Sequence, residues 1–366
     1  MIGLYIHVPF CVSKCPYCDF YSLAADETAM DAYTAAAVRA VEDWGRRLHE
    51  RADTLYFGGG TPSLLGPSRL TRLIEAAAAA FGLQGAEITL EANPADELAE
   101  LFSAFAAAGG NRLSVGMQAA DDGTLRRLGR RHTAAQTIRT AEDARRAGIN
   151  NLSLDLMLAV PGQTVDDIER ATGVLDAVGA THASAYLLKR EPDTPFGRHP
   201  PAGLPDDDAA AALYLAACEA LERRGYKQYE ISNFAREGCQ SRHNLKYWNS
   251  DPYLGIGPSA HSFVAGRRFA YPRSLAAFLA GEEPLPEDPD DPIADAGPEE
   301  YALLRLRLTE GLTEAGYRER FGAPLPAEWR RRAAALPPGL VLCDSDGIRL
   351  TRRGFLVSNA VLASLL

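Results

Sequence analysis

The sequence predicts an α/β fold, in which a partial (β/α)6 barrel is followed by a small α+β domain. Over the first two hundred residues, short runs rich in β-branched and apolar residues alternate with long helical patterns. Gly82, Gly109 and Gly148 stand where three of the helical patterns end. A proline-rich acidic stretch then precedes a last segment of short helical patterns and two strand candidates. Such alternation is typical of right-handed βαβ units around a parallel sheet.

The elements of the barrel follow one another in a regular order. The strand candidates are residues 3–8, 54–57, 87–91, 112–117, 151–157 and 182–188. The helix candidates between them are residues 27–50, 67–81, 95–108, 133–147 and 165–178. In barrels of this kind the loops that follow the strands carry the chemistry, so we expect the functional residues there.

The chain is predicted to divide into four parts. They are a barrel over residues 1–205, an extension of its core over 206–281, an acidic Pro-rich linker over 282–298 and a C-terminal domain over 299–366. In the extension, a helix over 207–224 precedes a strand over 229–231. The last part has helical patterns at 299–308, 313–321 and 326–336, strand candidates at 340–343 and 347–350, and a final helix over 352–365 that Thr351 caps.

The loop after the first strand contains Cys11, Cys15 and Cys18 in the spacing C-x3-C-x2-C. Pro9 and Pro16 disfavour a helix through this run, so we expect a loop that turns the thiols inward. Soft thiolates favour iron–sulfur clusters or zinc, and a structural zinc site normally has four protein ligands. No further Cys or His follows closely. The spacing therefore favours a [4Fe–4S] cluster with one open iron, at which a small molecule can bind.

Composition limits the classes to which the chain can belong. Its 366 residues can bury a large core, and its net charge of -10 argues against a general nucleic-acid binder. No apolar stretch is long enough to span a membrane. The sequence has no signal peptide, and three of its six cysteines cluster while the others are scattered. This pattern is typical of metal binding in a reducing compartment, so we expect a cytoplasmic protein that does not insert into a membrane.

Polar residues also follow the later strands. A glycine run over residues 58–60 ends the second strand and lets backbone groups approach a ligand; no Walker lysine follows it. The next three strands end at Glu91, Gln118 and Asp155, and Arg130 lies one helix beyond Gln118. A carboxylate can accept ribose hydroxyls, and an arginine can bind a carboxylate with two parallel hydrogen bonds. Each residue alone would also fit a cap or a salt bridge, but together they indicate a ligand site.

The cysteine spacing is the cluster signature of the radical S-adenosylmethionine (SAM) superfamily, and the chain resembles that superfamily. The resemblance implies a [4Fe–4S] cluster that Cys11, Cys15 and Cys18 hold, with the amino and carboxylate groups of SAM on the open iron. It also implies that the glycine run belongs to the SAM site.

Within the superfamily, the chain is similar to the oxygen-independent coproporphyrinogen III dehydrogenase group over most of its first two hundred residues. The positions that match the SAM-binding residues of this group are Tyr5, Tyr17, Gly59, Gly60, Thr61, Glu91, Gln118, Arg130 and Asp155. The resemblance implies ribose contacts for Glu91 and Asp155 and contacts with the polar groups of SAM for Gln118 and Arg130. It places Tyr17 beside the adenine.

The sequence differs from the porphyrinogen-oxidising enzymes of the group in two features, and these differences help to distinguish between the possible functions. The porphyrinogen-oxidising enzymes have a further Cys where this chain has Phe20, and they begin with a long N-terminal segment that this sequence lacks. Both features resemble the heme chaperone (HemW) branch of the group. That branch implies a protein that binds heme and a SAM-ligated [4Fe–4S] cluster and transfers heme to acceptor hemoproteins, respiratory enzymes among them. The alternatives are an oxygen-independent coproporphyrinogen III dehydrogenase, which decarboxylates propionate side chains oxidatively, and a radical SAM methyltransferase.

If the chain is a heme chaperone, we do not expect it to be an enzyme, and we assign it no catalytic residue. The sequence leaves open whether SAM is cleaved, whether heme attachment is covalent and whether two copies form a homodimer. Another departure from the family is Ala159-Val160, where Gly-Leu is common. The C-terminal part resembles the winged-helix-like domain of the group, and we expect it to serve packing or protein contacts.

The motif H-N-x-x-Y-W at residues 243–248 and the run over 229–235 are hallmarks of the chaperone branch. A histidine near Tyr and Trp can ligate heme iron and stack on the porphyrin, so His243 is the candidate heme ligand. A histidine that is hydrogen-bonded in a turn beside packed aromatics is the alternative interpretation. Further candidates are His261, Cys239 and His7.

Overall fold

A parallel sheet forms the inner wall of a partial barrel in the computed structural model, which describes residues 1–24, 26–286 and 297–366. Its first six strands are β1 (Ile2–Val8), β2 (Ala52–Gly59), β3 (Glu87–Ala92), β4 (Arg112–Gln118), β5 (Asn151–Leu158) and β6 (His182–Leu187). Each strand pairs in parallel with the next one along the chain. The predicted order of the strands is confirmed, and their ends differ from the prediction by one or two residues.

Helices between the strands pack their apolar faces on this sheet. They are α1 (Glu27–Leu48), α2 (Gly66–Phe81), α3 (Ala99–Ala107), α4 (Asp122–Arg127), α5 (Ala134–Arg146) and α6 (Val165–Ala177). Gly82, Gly109 and Gly148 follow three of these helices with positive φ, as predicted. The predicted helix over 95–108 begins only at Ala99, because Glu97 has a φ of 67°. Among the described residues, no helix has the length and apolar character that crossing a bilayer requires.

The sheet continues beyond the six predicted strands at both edges. The segment after β6 contains α7 (Pro195–Arg198), α8 (Asp207–Arg223), β7 (Lys227–Gln228), β8 (Asn233–Ala235), α9 (Arg242–Asn249), β9 (Tyr253–Ile256), β10 (His261–Val264), β11 (Arg267–Ala270), α10 (Leu275–Ala280) and β12 (Leu285–Pro286). At one edge β8 pairs antiparallel with β6, and β7 pairs with β8. At the other edge β9 pairs in parallel with β1, and β10, β11 and β12 extend the sheet in antiparallel fashion.

The predicted strand over 229–231 is wrong. Glu230 forms only an isolated bridge with Leu308. The Ile231 N–H donates to the Arg307 carbonyl oxygen at 2.9 Å, so the backbone here pairs with the C-terminal segment instead of continuing the sheet. These hydrogen bonds join the core extension to the last part of the chain.

Helix α9, which carries the whole H-N-x-x-Y-W motif, closes the end of the barrel at which β2 and β3 begin. Glu87, the first residue of β3, accepts the backbone N–H of His243 at 3.0 Å. A carboxylate in this position accepts hydrogen bonds from N–H groups of the first helical turn, which have no partner within the helix. Lys246 forms an ion pair with Asp53 of β2 at 2.9 Å. The motif therefore forms part of the barrel floor.

The C-terminal part has its own apolar core and its own small sheet. Its elements are α11 (Pro298–Arg305), β13 (Leu312–Thr313), α12 (Glu314–Phe321), α13 (Ala327–Ala335), β14 (Val341–Asp344), β15 (Gly347–Leu350), α14 (Arg352–Leu356) and α15 (Ser358–Leu365). The sheet has the order β13, β15, β14, and Tyr317 and Trp329 pack in a cluster separate from that of the barrel. The Thr351 cap is present, but the predicted last helix is broken at Val357. The small α+β architecture is thus as predicted.

The predicted linker over 282–298 lies outside the described residues at 287–296. Before that gap, Glu283 forms an ion pair with Arg47 of α1 at 2.6 Å, and β12 pairs with β11. The chain is therefore held against the barrel at the start of the predicted linker.

Candidate functional site

The loop after β1 holds Cys11, Cys15 and Cys18 between two short paired segments. Phe10–Cys11 pairs in parallel with Leu23–Ala24, which joins the two ends of the loop. Between these segments the backbone forms bends and turns without a helix, as its prolines predict. The loop therefore presents its thiols at the mouth of the barrel, where β1 ends.

The three thiols line one cavity of about 160 Å³. The Thr61 hydroxyl donates to the Cys11 Sγ at 3.7 Å, and Arg130 Nη1 lies 3.6 Å from the Cys15 Sγ. Burial raises the pKa of the Cys18 thiol, and the neighbouring Cys15 and Cys11 add to the rise. The three cysteines therefore face one shared cavity, in which they could bind a common ligand.

The thiols fit a cluster better than a single metal ion. Across the described parts of the chain, no three His, Cys, Asp or Glu side chains converge closely enough to hold one ion. In an iron–sulfur cluster each thiolate binds a separate iron, so the thiols need only surround the cavity. A hydroxyl and a guanidinium lie beside two of the sulfurs and can donate hydrogen bonds to them.

The glycine run packs directly against the cysteine loop. The Thr61 N–H donates to the Phe10 carbonyl oxygen at 2.7 Å. A Cβ on Gly60 would lie 2.5 Å from that same oxygen. Gly59 has a φ of 113°, and a Cβ there would lie 2.7 Å from the His7 ring. Only glycine fits this approach of two loops, and the backbone of both glycines also lines the thiol cavity.

Arg130 connects the cysteine loop to the ends of β3 and β4. Its Nη2 donates to the Gly116 carbonyl oxygen at 2.9 Å and to Asn93 Oδ1. Its Nη1 lies 3.4 Å from the Tyr17 hydroxyl and contacts Cys15. These partners hold the plane of the guanidinium in one orientation at the cavity wall, as recognition of a planar carboxylate requires.

Glu91 and Asp155 place two carboxyl groups on the inner wall of the barrel. Glu91 accepts from the Tyr56 hydroxyl at 2.8 Å and from the Gly59 N–H at 3.3 Å, and Asp155 accepts from the Ser114 hydroxyl at 3.3 Å. Burial raises the pKa of Glu91 to about 7, and the nearby Asp155 adds to this rise. Burial also raises the pKa of Asp155 to about 6. Further hydrogen-bond donors in the cavity, such as ribose hydroxyls, would stabilise the charged forms.

Gln118 ends β4 in the left-handed region, with a φ of 65° although it is not glycine. Its side-chain oxygen accepts from the Tyr186 hydroxyl at 2.9 Å, and both residues line the thiol cavity. Backbone strain of this kind persists where the surrounding structure imposes it, often at ligand sites. The turn aims the Gln118 amide into the cavity.

Tyr5 and Tyr17 occupy different depths of the barrel. The Tyr5 hydroxyl lies 3.1 Å from His7 Nδ1, and its ring lines the larger cavity described below but not the thiol cavity. Tyr17 lines both cavities and packs against Phe196, with ring centroids 6.2 Å apart. Burial raises the pKa of both phenols, which are therefore neutral near pH 7.

Four residues of the site were not predicted. Tyr56, Asn93, Ser114 and Tyr186 each contact a predicted residue. The period of two along a strand could have identified two of them, since Asn93 follows Glu91 by two positions and Ser114 shares the inner face of β4 with Gln118. No local signal identified Tyr56 or Tyr186.

A second, larger cavity of about 830 Å³ adjoins the thiol cavity. Both are lined by Cys18, Phe20 and Asp155. The larger cavity extends along the inner wall to Arg112 at the start of β4 and outward to His261 at the mouth. Its volume lies within the usual range for sites that bind drug-sized ligands and cofactors.

His243 lies behind the wall of the larger cavity and not on it. The side chain is 1% exposed. Its Nδ1 lies 2.8 Å from the Thr54 hydroxyl, its Nε2 lies 2.8 Å from the Tyr247 hydroxyl, and its ring stacks on Tyr56 at 5.1 Å. This is the geometry of a hydrogen-bonded buried histidine, the second of the two interpretations of the motif. Ligation of heme iron through His243 would require one of these hydrogen bonds to break.

The other candidate ligands differ in their access to the cavity. His7 lines it but has both ring nitrogens engaged, by the Tyr5 hydroxyl at 3.1 Å and the Tyr21 carbonyl oxygen at 2.9 Å. Cys239 does not line it. His261 is exposed at its mouth. Of these candidates, His261 is therefore the most accessible to a ligand in the cavity.

Ala159, which follows β5, has a φ of 57°, in the left-handed region that favours glycine. The left-handed region costs a non-glycine residue about 1–2 kcal/mol. We expect Ala159→Gly to leave the free energy of unfolding unchanged or to raise it by up to about 1 kcal/mol, since the loss of strain offsets the added freedom of the unfolded chain. Denaturant titration measures this change. Ala32→Gly, on the exposed side of α1, is the control and should lower the free energy by about 1 kcal/mol; a similar loss at Ala159 would contradict the prediction.

Comparison with known proteins shows the family of the chain. A radical SAM superfamily profile matches residues 5–173. The heme chaperone HemW of Mycobacterium tuberculosis strain H37Rv is 36% identical over 100% of this chain and 94% of its own length. HemW of Escherichia coli K12 is 35% identical over 99% of this chain and 97% of its own length, and HemW of Bacillus subtilis 168 is 32% identical over 100% and 99%.

A solved structure has the same fold over the whole chain. It is that of the radical SAM enzyme coproporphyrinogen III oxidase (HemN) from Escherichia coli, with a TM-score of 0.83 over 100% of this chain and 89% of the other. The two sequences are 20% identical, so this likeness establishes the barrel and the C-terminal part as a fold.

Proposed function

Since the chain belongs to the HemW family within the radical SAM superfamily, we propose that it is a cytoplasmic heme chaperone. In this proposal the protein binds a [4Fe–4S] cluster, SAM and heme, and transfers the heme to acceptor hemoproteins, respiratory enzymes among them. The observation that carries the proposal is similarity along the full chain to proteins named heme chaperone. The larger of the two adjoining cavities supports it, because its volume suits a large ligand beside the cysteine loop.

The thiol cavity is the proposed site of the cluster and of SAM. Cys11, Cys15 and Cys18 would hold the cluster, which, when bound, supplies an open iron for the methionine part of SAM. In this proposal Arg130 would hold the carboxylate of SAM, and Glu91 and Asp155 would accept its ribose hydroxyls; the contacts that fix these side chains at the cavity wall support the proposal. The remaining proposed SAM contacts are Tyr5, Tyr17, Gly59, Gly60, Thr61 and Gln118. The position of Tyr5 in the larger cavity places its proposed contact deeper in the barrel than the others.

The larger cavity is the proposed site of heme. It is lined by several tyrosine rings, which can pack against a porphyrin. His261, exposed at its mouth, is the side chain that we propose as the iron ligand. This assignment moves the ligand away from His243, which packs in the floor of the barrel.

An anaerobic heme titration of the cluster-reconstituted protein, followed by visible absorption, tests the proposed function. We expect saturable binding of one heme per chain, with a shifted Soret band or weaker binding in His261→Ala. Unchanged binding and an unchanged band in that variant would discard the ligand but keep the function. The absence of saturable binding in the wild type would overturn the chaperone proposal.

We expect His243→Ala to lower the free energy of unfolding by about 3 kcal/mol or more while the Soret band of bound heme keeps its position. The substitution removes a buried ring and leaves the Thr54 and Tyr247 hydroxyls without their partner. Denaturant titration and heme titration at a temperature where the variant is folded measure the two effects. His199→Ala is the control, because His199 is exposed. A shifted Soret band with little loss of stability would contradict this and restore His243 as the heme ligand.

The dehydrogenase alternative shares the barrel and the SAM site, so neither feature separates it from the chaperone. Phe20 occupies the position of the further Cys of the dehydrogenase group, and its side chain is 66% exposed at the edge of both cavities. Incubation with coproporphyrinogen III, SAM and a strong reductant under anaerobic conditions distinguishes the functions. We expect no decarboxylated product, and repeated turnover would establish the dehydrogenase instead.

A further inference from the structure

Arg112, the first residue of β4, is a buried cation for which the described part of the chain offers no hydrogen-bond or ion-pair partner. The residue is 1% exposed, and its Nε is buried with no hydrogen-bond acceptor. Among the residues that the structure describes, none forms an ion pair or a hydrogen bond with its guanidinium. Other buried cations of the chain are paired: Lys246 with Asp53 and Arg305 with Glu310.

The guanidinium lies on the wall of the larger cavity. Arg112 shares the inner face of β4 with Ser114 and Gln118, because alternate residues of a strand point to the same side. It lines the cavity together with Ser153 of the adjacent strand β5 and His182 of the next strand, β6. Arg112 is therefore a positive charge inside the barrel, at the end of the cavity farthest along β4 from the thiols.

The neighbouring polar groups do not neutralise this charge. His182 is engaged on both nitrogens, by the Ser153 hydroxyl at 2.8 Å and the Tyr229 hydroxyl at 2.9 Å. Burial lowers the pKa of His182, and the charge of Arg112 lowers it further. The carboxyl groups of Glu91 and Asp155 lie near enough for their pKa values to be lowered slightly by Arg112, but neither is within ion-pair distance.

A buried cation without a counter-ion is strongly unfavourable. The cost is recovered if an anion enters the cavity when a ligand binds. The guanidinium presents paired N–H groups whose geometry matches a carboxylate. The cavity is also large enough for a ligand that is mostly apolar, with the charge of Arg112 recognising one end of it.

We propose that Arg112 anchors a carboxylate of the ligand in the larger cavity, namely a propionate of the porphyrin. The inference rests on the proposed function, because it takes heme as that ligand. Heme carries two propionates on one edge of a largely apolar ring, which is the chemistry that a tyrosine-lined cavity with one buried arginine fits. SAM also carries a carboxylate, so the test has to separate these two sources.

The test compares iron protoporphyrin with its dimethyl ester, in which both carboxylates are capped. Each is titrated into the cluster-reconstituted full-length protein and followed by visible absorption. We expect the wild type to bind the free acid about ten-fold or more tightly than the ester. Arg112→Met should reduce this preference to about two-fold or less, with the affinity for the ester unchanged. Arg72→Met, which removes an exposed cation, should behave as the wild type.

The possible outcomes separate the two proposals. If the wild type binds neither porphyrin, the proposed function fails. If it binds heme but Arg112→Met keeps the preference for the free acid, the inference about Arg112 fails and the function stands. A parallel SAM titration completes the test: loss of SAM affinity in Arg112→Met with the porphyrin preference intact would overturn the inference.

If Arg112 had a structural role, its replacement by Met would lower the thermal unfolding midpoint. Because no described residue pairs with the buried guanidinium, we instead expect Arg112→Met to keep or raise this midpoint. If that variant does not fold, Arg112→Lys serves instead, because it keeps the charge but loses the paired N–H geometry. It should retain only part of the preference for the free acid. The full wild-type preference in Arg112→Lys, together with a failure of Arg112→Met to fold, would overturn the inference.

Discussion

A variant in which Cys11, Cys15 and Cys18 are all alanine is expected to hold no iron–sulfur cluster after anaerobic reconstitution. The three thiols surround one cavity, and the described residues offer no group of His, Cys, Asp or Glu side chains elsewhere that could hold a metal. Iron and acid-labile sulfide should fall from about four of each per chain to none. SAM affinity should fall with them, because the open iron is part of the proposed SAM site.

Cys343→Ala is the matched control for this experiment. Cys343 is an exposed thiol on β14, remote from the cysteine loop, and its loss should leave the iron content unchanged. Iron content near the wild-type value in the triple variant would show that other residues hold the cluster. The same variant should still bind heme, since heme is assigned to the larger cavity. If heme binding and the cluster disappear together, the two sites have been separated wrongly.

SAM affinity is expected to rise with pH through about pH 7 and to lose most of this dependence in Glu91→Gln. Burial raises the pKa of Glu91 to about 7, so the free carboxyl group is largely protonated below that pH. Ribose hydroxyls that donate to the carboxylate favour its charged form and lower its pKa in the complex. Binding below pH 7 must then release a proton, and the affinity falls by up to about ten-fold per pH unit. Calorimetry in buffers of different ionisation enthalpy measures both the affinity and the released proton.

Glu230→Gln is the control for this pH dependence. Burial raises the pKa of Glu230 to about 7 as well, but Glu230 lines neither cavity. Its substitution should therefore leave the pH profile of SAM binding unchanged. If SAM affinity in Glu91→Gln still changes weakly with pH near pH 6, the change would come from Asp155. Burial raises the pKa of Asp155 to about 6. An unchanged step near pH 7 in Glu91→Gln would contradict the assignment of Glu91 to the ribose.

The functional positions at the ends of the strands could be predicted from two rules: strands and helices alternate along the chain, and the carboxyl ends of parallel strands meet at one end of a barrel. The alternation of strands and helices identified six strands in the correct order, and their carboxyl ends meet at the mouth of the barrel. Glu91, Gln118 and Asp155 follow from this rule alone. Their geometry confirms that they line one cavity with the cysteines, while their roles in binding SAM stay predictions.

The position of His243 could not be predicted, because it depends on contacts between distant parts of the chain. The motif shows that a histidine, a tyrosine and a tryptophan lie together, which suits a heme ligand and a packed turn equally well. Its environment is set by Thr54 and Glu87, which lie more than one hundred and fifty residues earlier. The parallel strand β9 escaped prediction for the same reason, since a short apolar run does not indicate which strand it joins.

The pairing of β9 with β1 also constrains how the protein is made. β1 leaves the ribosome long before its outer neighbour, residues 253–256, because β2 to β8 lie between them in the chain. At about 5–20 residues per second, the outer edge of β1 is without that neighbour for roughly 10–50 s. An apolar strand with an open edge is prone to wrong pairing. The nascent chain therefore passes through a stage at which the cysteine loop is synthesised but one edge of β1, the strand before it, is uncovered. Protection of that edge during translation should set the yield of folded protein.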